Sequence, residues 1–401
     1  MLRPLLFSSL LLINCRPPQP AAVGQTILPV STVSALPDEV AVFRNGDEGY
    51  GCYRIPAVVK APDGALLAFA EGRRNDCGDF GDVDIVLRIS RDNGKTWGPQ
   101  SLVADFGTAQ AGNPAPVFDL TDPRYPAGRL FLVYNTGVAS ESDVRNGKAI
   151  REVWYKTSTD GGKTWSEPVN ITTQVNRPNK PAVNPAYAFA EDWRSYANTP
   201  GHALQLAKGR YRGRLFVAAN HSAGAPQSAF RDYRAHAFYS DDHGQTWKLS
   251  PDVDYAGGNE STAAEISDGG VLMNIRNQSG DVKSRLMAWS PTAGAAWNPV
   301  VVSNDLPDPV CQGSMVNYQT AEGRSVLLFS NANSQTKREK LTVRYSTDDG
   351  KSWSRGREVY SGSAAYSDLV VQADGQIGVL YERDNYTLIT YAHFPYNWLS
   401  Q

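Results

Sequence analysis

An all-β fold, a six-bladed β-propeller with Asp-box hairpin turns, is predicted by two internal repeats and by the composition. The first repeat is the turn Ser90-Arg91-Asp92-Asn93-Gly94-Lys95-Thr96-Trp97, which recurs at 158–165, 240–247 and 346–353. A further copy, Ser290 to Trp297, keeps the serine, glycine and tryptophan but has lost the aspartate. The second repeat is a turn feeding an apolar strand, as in Asp63-Gly64-Ala65-Leu66-Leu67-Ala68-Phe69-Ala70. It starts again at Ala127, Arg212, Asp268, Glu322 and Asp374. Spacings of roughly fifty to eighty residues belong to propellers and arrays. The 35 Gly, 25 Pro and 10% aromatic residues suit many short strands joined by tight turns.

Each box reads as a hairpin turn. A Ser or Asp side chain can bond the backbone just ahead of it, and glycine takes a left-handed conformation at no steric cost. The closing tryptophan offers a large apolar face to the next strand or the neighbouring unit. Gly94-Lys95-Thr96 does not end a phosphate-binding loop, because that loop needs a glycine where Ile89, Thr157 and Tyr345 stand. No copy supplies the alternating acidic ligands and the closing glutamate of an EF-hand. The boxes are structural.

The apolar repeats, bounded by Gly and Asp, read as buried strands. Six of them, each in a sheet of about four strands, make six radial blades. The segment before residue 53 would complete the last blade and leave no sheet edge open. From residue 40 to residue 401 the chain reads as one domain, its longest insertion, about 170–208, forming a surface loop. In such a ring, loops and strand starts from every blade converge on a shallow bowl at the centre of one face. Functional residues are expected there, brought from distant parts of the chain.

The charges nearly cancel, 39 Lys plus Arg against 41 Asp plus Glu, so nothing points to nucleic acid or a charged surface as partner. Residues 1–22 read as an export signal, in which Arg3 precedes an apolar run, Leu5 to Ile13, too short to span a bilayer. Cys15 directly after it fits a lipoprotein signal and a lipid anchor, and cleavage near Ala21-Ala22 fits an ordinary signal. The protein is expected to be secreted, periplasmic or attached to the cell surface. Residues 23–39 read as a linker. Of the remaining cysteines, Cys52, Cys77 and Cys311, the first two read equally well as a disulfide, which export permits, or as buried thiols. The five histidines are scattered and neither CxxC nor HExxH occurs, so no metal or other cofactor is expected.

Beside the first strand repeat stands Tyr53-Arg54-Ile55-Pro56. With this motif and the boxes, the stretch from Val40 to Leu399 resembles the exo-α-sialidases (neuraminidases) of the bacterial and animal type. The resemblance implies two further arginines, a Tyr/Glu pair and further acidic residues. The second arginine matches Arg276, which closes Asn274-Ile275-Arg276. The third matches Arg338 in Lys337-Arg338-Glu339-Lys340, with Arg344 nearby as the other candidate. Tyr366 in Ala364-Ala365-Tyr366-Ser367-Asp368 matches the tyrosine, and Glu260 the glutamate paired with it. Glu382, closing Val379-Leu380-Tyr381-Glu382, matches the acid that orients the first arginine. The acid/base belongs to the loop 73–82, at Asp79 by its distance from Arg54, with Asp82 and Asp76 as alternatives. Gln312 and the loop Gly112 to Pro116 are candidates for holding the N-acyl and glycerol arms of the sugar, and His202 reads as structural.

These residue types suit the substrate that the resemblance implies, a terminal sialic acid on a glycoprotein, glycolipid or oligosaccharide. That sugar carries a carboxylate on its anomeric carbon, and guanidinium forks bind planar carboxylates bidentately while staying charged. An Asp or Glu nucleophile would be repelled by the carboxylate, whereas a phenol stays neutral until a neighbouring Glu takes its proton. Asp79 would protonate the leaving oxygen and then activate water, giving retention of configuration. Taken singly, an arginine is usually a surface residue, a tyrosine ending an apolar run is usually core, and Glu260 or Glu382 could be a turn or strand end. Their joint order along the repeats is what points to a site. A trans-sialidase or intramolecular trans-sialidase would share these residues. A non-catalytic sialic-acid-binding propeller would have no reason to keep them together. The enzyme is expected to act as a monomer.

Overall fold

The computed structural model describes residues 38–401. The export signal with Cys15, and all but the last two residues of the 23–39 linker, lie outside them. Glu39 opens a strand, Glu39–Arg44. Among the described residues no helix is long and apolar enough to cross a membrane.

The strands form antiparallel blades around a central axis. Blade 1 runs through Cys52–Lys60, Leu66–Arg73, Val83–Ser90 and Ser101–Ala104. Blade 2 holds Gln110–Asp119, Arg129–Gly137, Arg151–Ser158 and Val169–Asn170. Blade 3 holds Trp193–Asn198, Leu215–Ala223, Tyr233–Ser240 and Lys248–Leu249. Blade 4 holds Gly258–Glu265, Val271–Asn277, Ser284–Ser290 and Val301–Pro307. Blade 5 holds Ser314–Gln319, Ser325–Ala332, Glu339–Ser346 and the first half of the long strand Arg357–Val371. The second half of that strand opens blade 6, followed by Ile377–Arg383 and Leu388–Phe394. Glu39–Arg44 pairs with Leu388–Phe394, so the first and last described strands share a sheet and the ring closes. Because one strand serves blades 5 and 6, and a parallel bridge from Val83 to Gln110 joins blades 1 and 2, hydrogen bonding links the six blades into four sheets.

Each apolar repeat is the second strand of a blade, and each box is the turn after the third. In the first box the Gly94 amide donates to Ser90 Oγ at 2.8 Å, while Asp92 accepts from the Thr96 amide at 2.9 Å and from its hydroxyl at 2.6 Å. The copy without aspartate folds alike, because Thr292 Oγ1 accepts from the Ala296 amide at 2.8 Å in its place. Gly94 is needed twice over: its φ is +85°, and a Cβ would lie 2.1 Å from the Tyr391 ring. The tryptophans pack onto the preceding blade. Trp165 meets Phe69 edge-on at 6.2 Å, Trp247 meets Phe131 at 6.4 Å, and Trp97 meets Tyr391 of blade 6 at 5.4 Å. Such pairs add about 0.5–1.5 kcal/mol each beyond area burial, so the boxes staple neighbouring blades.

The insertion at 170–208 is more than the surface loop expected of it. It holds a short helix, Thr172–Val175, and the innermost strand of blade 3, Trp193–Asn198. That strand turns Ser195, Tyr196 and Ala197 to the central cavity and so lacks the apolar run of the others. Strand direction then fixes the two faces. Innermost strands run away from the face that bears Arg54, second strands return to it, and third strands leave again. Loops after second strands share the Arg54 face, and the boxes lie on the opposite one.

Two of the histidines read as scattered meet inside blade 3. His221 and His236 are fully buried, Nδ1 to Nδ1 at 3.2 Å, with Trp193 stacked on His221 at 3.4 Å. Burial holds both imidazoles below their ordinary value, His236 at about 3. The folded pKa is depressed, so the unfolded chain binds more protons once the pH falls below about 6.5, and stability present above that value is lost below it. His236 alone should cost about 2 kcal/mol at pH 5, or about 3 °C in melting temperature. Thermal melts from pH 7 to pH 5 should show the drop, and His236→Leu should make it shallower by the share of His236, leaving that of His221. A variant with the same slope as wild type would remove His236 from the account of acid lability.

Candidate active site

The loops and strand ends on the Arg54 face enclose a central cavity of about 230 Å³ to which every blade contributes. Arg54 enters from a bulge in the innermost strand of blade 1, where the pairing register shifts and Ile55 sits at φ +58°, a strained value for a β-branched residue. The bulge is held by Glu382. Its Oε1 accepts from Arg54 Nε at 2.6 Å and from the Ile55 amide at 2.9 Å, and its Oε2 accepts from the Tyr366 amide at 3.1 Å. One buried carboxylate thus registers an arginine of blade 1 against a tyrosine of blade 6.

Tyr366 lies at the start of the innermost strand of blade 6. Its hydroxyl donates to Glu260, 2.6 and 2.8 Å from the two carboxylate oxygens, and accepts from Arg276 Nη1 at 3.0 Å. Arg276 also binds Glu260 Oε2 at 2.5 Å. Arg338, in the loop before the third strand of blade 5, completes the group, its guanidinium 5.6 Å from the Tyr366 ring centre. Arg344, the other candidate, does not line the cavity. It is bound to Asn331 and Asn333 at 3.2 and 2.7 Å, and burial pulls its guanidinium down to about 10. Burial works against the charges of Arg54 and Arg276, but Glu382 and Glu260 beside them raise both above the usual arginine value. Burial, reinforced by the Glu260 charge, pushes the Tyr366 phenol well above its ordinary value despite Arg276 and Arg338. At neutral pH the tyrosine is protonated with a proton acceptor already in contact.

Asp79 lies in the loop after the second strand of blade 1, its side chain 81% exposed at the cavity mouth. Its Oδ1 is 2.9 Å from Arg73 Nη1 and 3.7 Å from Arg54 Nη1. Arg73 is fixed by Glu71 at 2.7 Å and by the carbonyls of Cys77 and Gly78 at 2.6 and 2.8 Å. Cys52 and Cys77 form a disulfide that ties this loop to the strand of Arg54, while Cys311 is a buried free thiol. Asp76 caps the Gly78 amide at 2.7 Å, Asp82 faces Arg74 at 3.9 Å, and neither lines the cavity. Desolvation would raise the Asp79 carboxyl, but Arg73, Arg54 and Arg338 outweigh it and hold the group below the usual aspartate value.

Gln312 does not reach the cavity, contrary to expectation. Its amide nitrogen donates to the carbonyls of Pro200 and Ser367 at 3.1 and 3.0 Å, and its oxygen accepts from the Ser367 amide at 3.0 Å, so the side chain is spent on buried backbone. The stretch 112–116 belongs to a strand rather than a loop, with Asn113 at φ +53° against the cavity. His202 is structural, bound to Asp368 at 2.7 Å, and Asp368 also takes the Val58 amide and the Ser314 hydroxyl. A polar wall on blades 2 and 3 was missed. There Glu141 accepts from Ser195 Oγ at 2.5 Å and from the Tyr233 hydroxyl, and Arg151 binds Gln110 at 2.7 Å. Glu141 occupies in blade 2 the loop that holds Asp79 in blade 1 and Arg338 in blade 5, so position within the repeat was a usable signal.

Residues 64–379 match the family described as BNR repeat-like domain. The chain is 35% identical over 399 residues to a sialidase of Micromonospora viridifaciens, a match covering 95% of this chain and 57% of that protein's length. It is 30% identical over 373 residues to sialidase-2 of Mus musculus, covering 86% of this chain and 93% of the mouse protein. The solved structure of the Hadza microbial sialidase Hz136 shares the fold, with a TM-score of 0.77 at 24% identity over 90% of this chain and 69% of that one. With the repeats, the ring and these matches in agreement, the chain belongs to the sialidase family of BNR-repeat β-propellers.

Proposed function

We propose that this protein is an exo-α-sialidase that releases terminal sialic acids from glycoconjugates with retention of configuration, through a tyrosyl-enzyme intermediate. The observation that carries the reading is the meeting of Arg54, Arg276 and Arg338 around the Tyr366–Glu260 pair, in one cavity with Asp79. Three guanidinium groups from three blades suit the carboxylate on the anomeric carbon. With the carboxylate held there, Tyr366 Oη attacks that carbon while Glu260 takes the phenolic proton. The raised tyrosine pKa means that deprotonation accompanies attack rather than preceding it. Asp79 gives its proton to the departing glycosidic oxygen. It then takes a proton from the water that attacks the same carbon, and Glu260 returns its proton to Tyr366 as the sugar leaves. A substrate carboxylate on Arg54 and Arg338 also cancels part of the field that keeps Asp79 ionised, so binding itself prepares the acid.

Two displacements at one carbon leave the configuration unchanged. Proton NMR of a fresh reaction on an α-sialoside should therefore show the α-anomer of the free sugar first, with the β-anomer growing in by mutarotation. β-Anomer as the initial product would sink the tyrosyl intermediate, and binding without release would sink the hydrolase reading. Action outside the cytoplasm belongs to the same reading, supported by the apolar leader and by the Cys52–Cys77 disulfide.

A further inference from the structure

We propose that Tyr386 is a positioning residue that holds Arg54 and Arg338 at their working separation, an inference that rests on the sialidase reading above. The Arg54 guanidinium lies over the Tyr386 ring, 4.1 Å from its centre, closer than its 5.4 Å to the Tyr366 ring. The Tyr386 hydroxyl accepts from Arg338 Nη1 at 3.2 Å. One side chain thus touches two like-charged groups from blades 1 and 5. Among the described residues Arg338 makes no ion pair, and Tyr386 Oη and the Val310 carbonyl are its two hydrogen-bond acceptors. Tyr386 itself does not line the cavity, so it acts through the arginines.

The backbone is shaped to deliver this contact. Asp384, Asn385 and Tyr386 have φ of +52°, +55° and +69°, three successive non-glycine residues in the left-handed region. Aspartate and asparagine tolerate it; tyrosine does so only under constraint from its surroundings. The constraint is visible. The Tyr386 carbonyl accepts from Asn45 Nδ2 at 2.9 Å, and Asn45 Oδ1 accepts from the amide of Tyr53, the residue before Arg54, at 3.1 Å. The Asp384 amide donates to the Ser363 carbonyl at 3.0 Å. The ring packs on the apolar plug of Ile55, Cys311, Ala365 and Tyr366 beneath the site.

The chemistry favours a neutral support here. Arg54 already has Glu382 on its Nε and Asp79 3.7 Å from its Nη1, and a further carboxylate against Arg54 or Arg338 would compete with the substrate for the same charge. An aromatic face and a phenol oxygen orient both guanidinium groups while leaving their charge available.

The test uses Tyr386→Phe and Tyr386→Leu in the full chain. A planar 2,3-unsaturated sialic acid analogue and its methyl ester serve as inhibitors. Tyr386→Phe should weaken the free acid by about three- to tenfold, and Tyr386→Leu by about thirtyfold. The ester should change by less than about twofold in both, because it presents no full carboxylate charge to the clamp. Equal weakening of acid and ester would mean a merely structural role, and unchanged affinity for both would leave no role; either overturns the inference. Wild-type protein that fails to distinguish acid from ester would instead reject the carboxylate clamp on which the inference stands.

Discussion

Tyr366→Phe should lower kcat/KM on every sialoside by about 10³-fold or more, with little change in binding or stability. The substitution deletes the one oxygen that Glu260 contacts and leaves the ring beneath Arg54 and Arg338. Arg276 keeps its ion pair with Glu260 at 2.5 Å, so no buried charge is stranded. Affinity for an acid analogue should therefore stay within about threefold of wild type, and the melting temperature within about 2 °C. The loss should be equally severe for aryl and natural substrates, because the nucleophile is needed whatever the leaving group. Steady-state kinetics with both substrates, beside inhibitor titration and a thermal melt, reads all three expectations. A variant that keeps a tenth of wild-type turnover would assign the attack to another group, with Glu260 the first to examine.

What the sequence revealed follows from which residues the fold constrains locally. The second strands are sandwiched inside their blades, so runs such as Leu66–Arg73 are buried throughout and stand out as apolar words. The boxes are legible for a similar reason, since a turn that feeds its own backbone needs Ser, Asp or Thr, and Gly at fixed offsets. Trp193–Asn198 was hidden because this innermost strand, unlike Cys52–Lys60 of blade 1, places Arg194, Ser195 and Asn198 among its aromatics and carries no apolar run. Arg54, Glu260, Arg276, Tyr366 and Glu382 sit at strand ends on one face, where their order along the repeats could be matched to a family pattern. Gln312 follows Cys311 of the apolar cluster beneath the site, yet its amide is consumed by Ser367 and Pro200, a long-range satisfaction that no local pattern reports. Tyr386 and Glu141 stand, like Asp79 and Arg338, in loops after second strands, whose place in the blade points to the cavity face but whose residues follow no repeated pattern. The disulfide was undecidable for the same reason: 25 residues separate Cys52 and Cys77, and only the folding back of the 74–82 loop brings their Cα atoms to 5.2 Å.

Asp79→Ala should divide substrates by their leaving group. A natural sialoside expels a sugar alkoxide, which needs a proton in the transition state, and losing a positioned acid there costs about 10²- to 10⁴-fold in kcat/KM. An activated aryl sialoside expels a stable phenolate, so its kcat/KM, which reports the first displacement, should fall by less than about tenfold. The same residue serves as base for the second displacement, so kcat on the aryl substrate should fall further and phenol should appear in a burst as the tyrosyl intermediate accumulates. The pH dependence follows from the charges around the group. Arg73, Arg54 and Arg338 hold the free-enzyme carboxyl below the usual aspartate value, so the protonated fraction shrinks as pH rises. Once a substrate carboxylate offsets those arginines the group titrates higher, and the basic limb of kcat on a natural sialoside should lie at higher pH than that of kcat/KM. Asp79→Ala should abolish that limb. Equal losses on aryl and natural substrates, with the limb intact, would move proton delivery elsewhere and leave Asp79 as the partner that holds Arg73 at 2.9 Å.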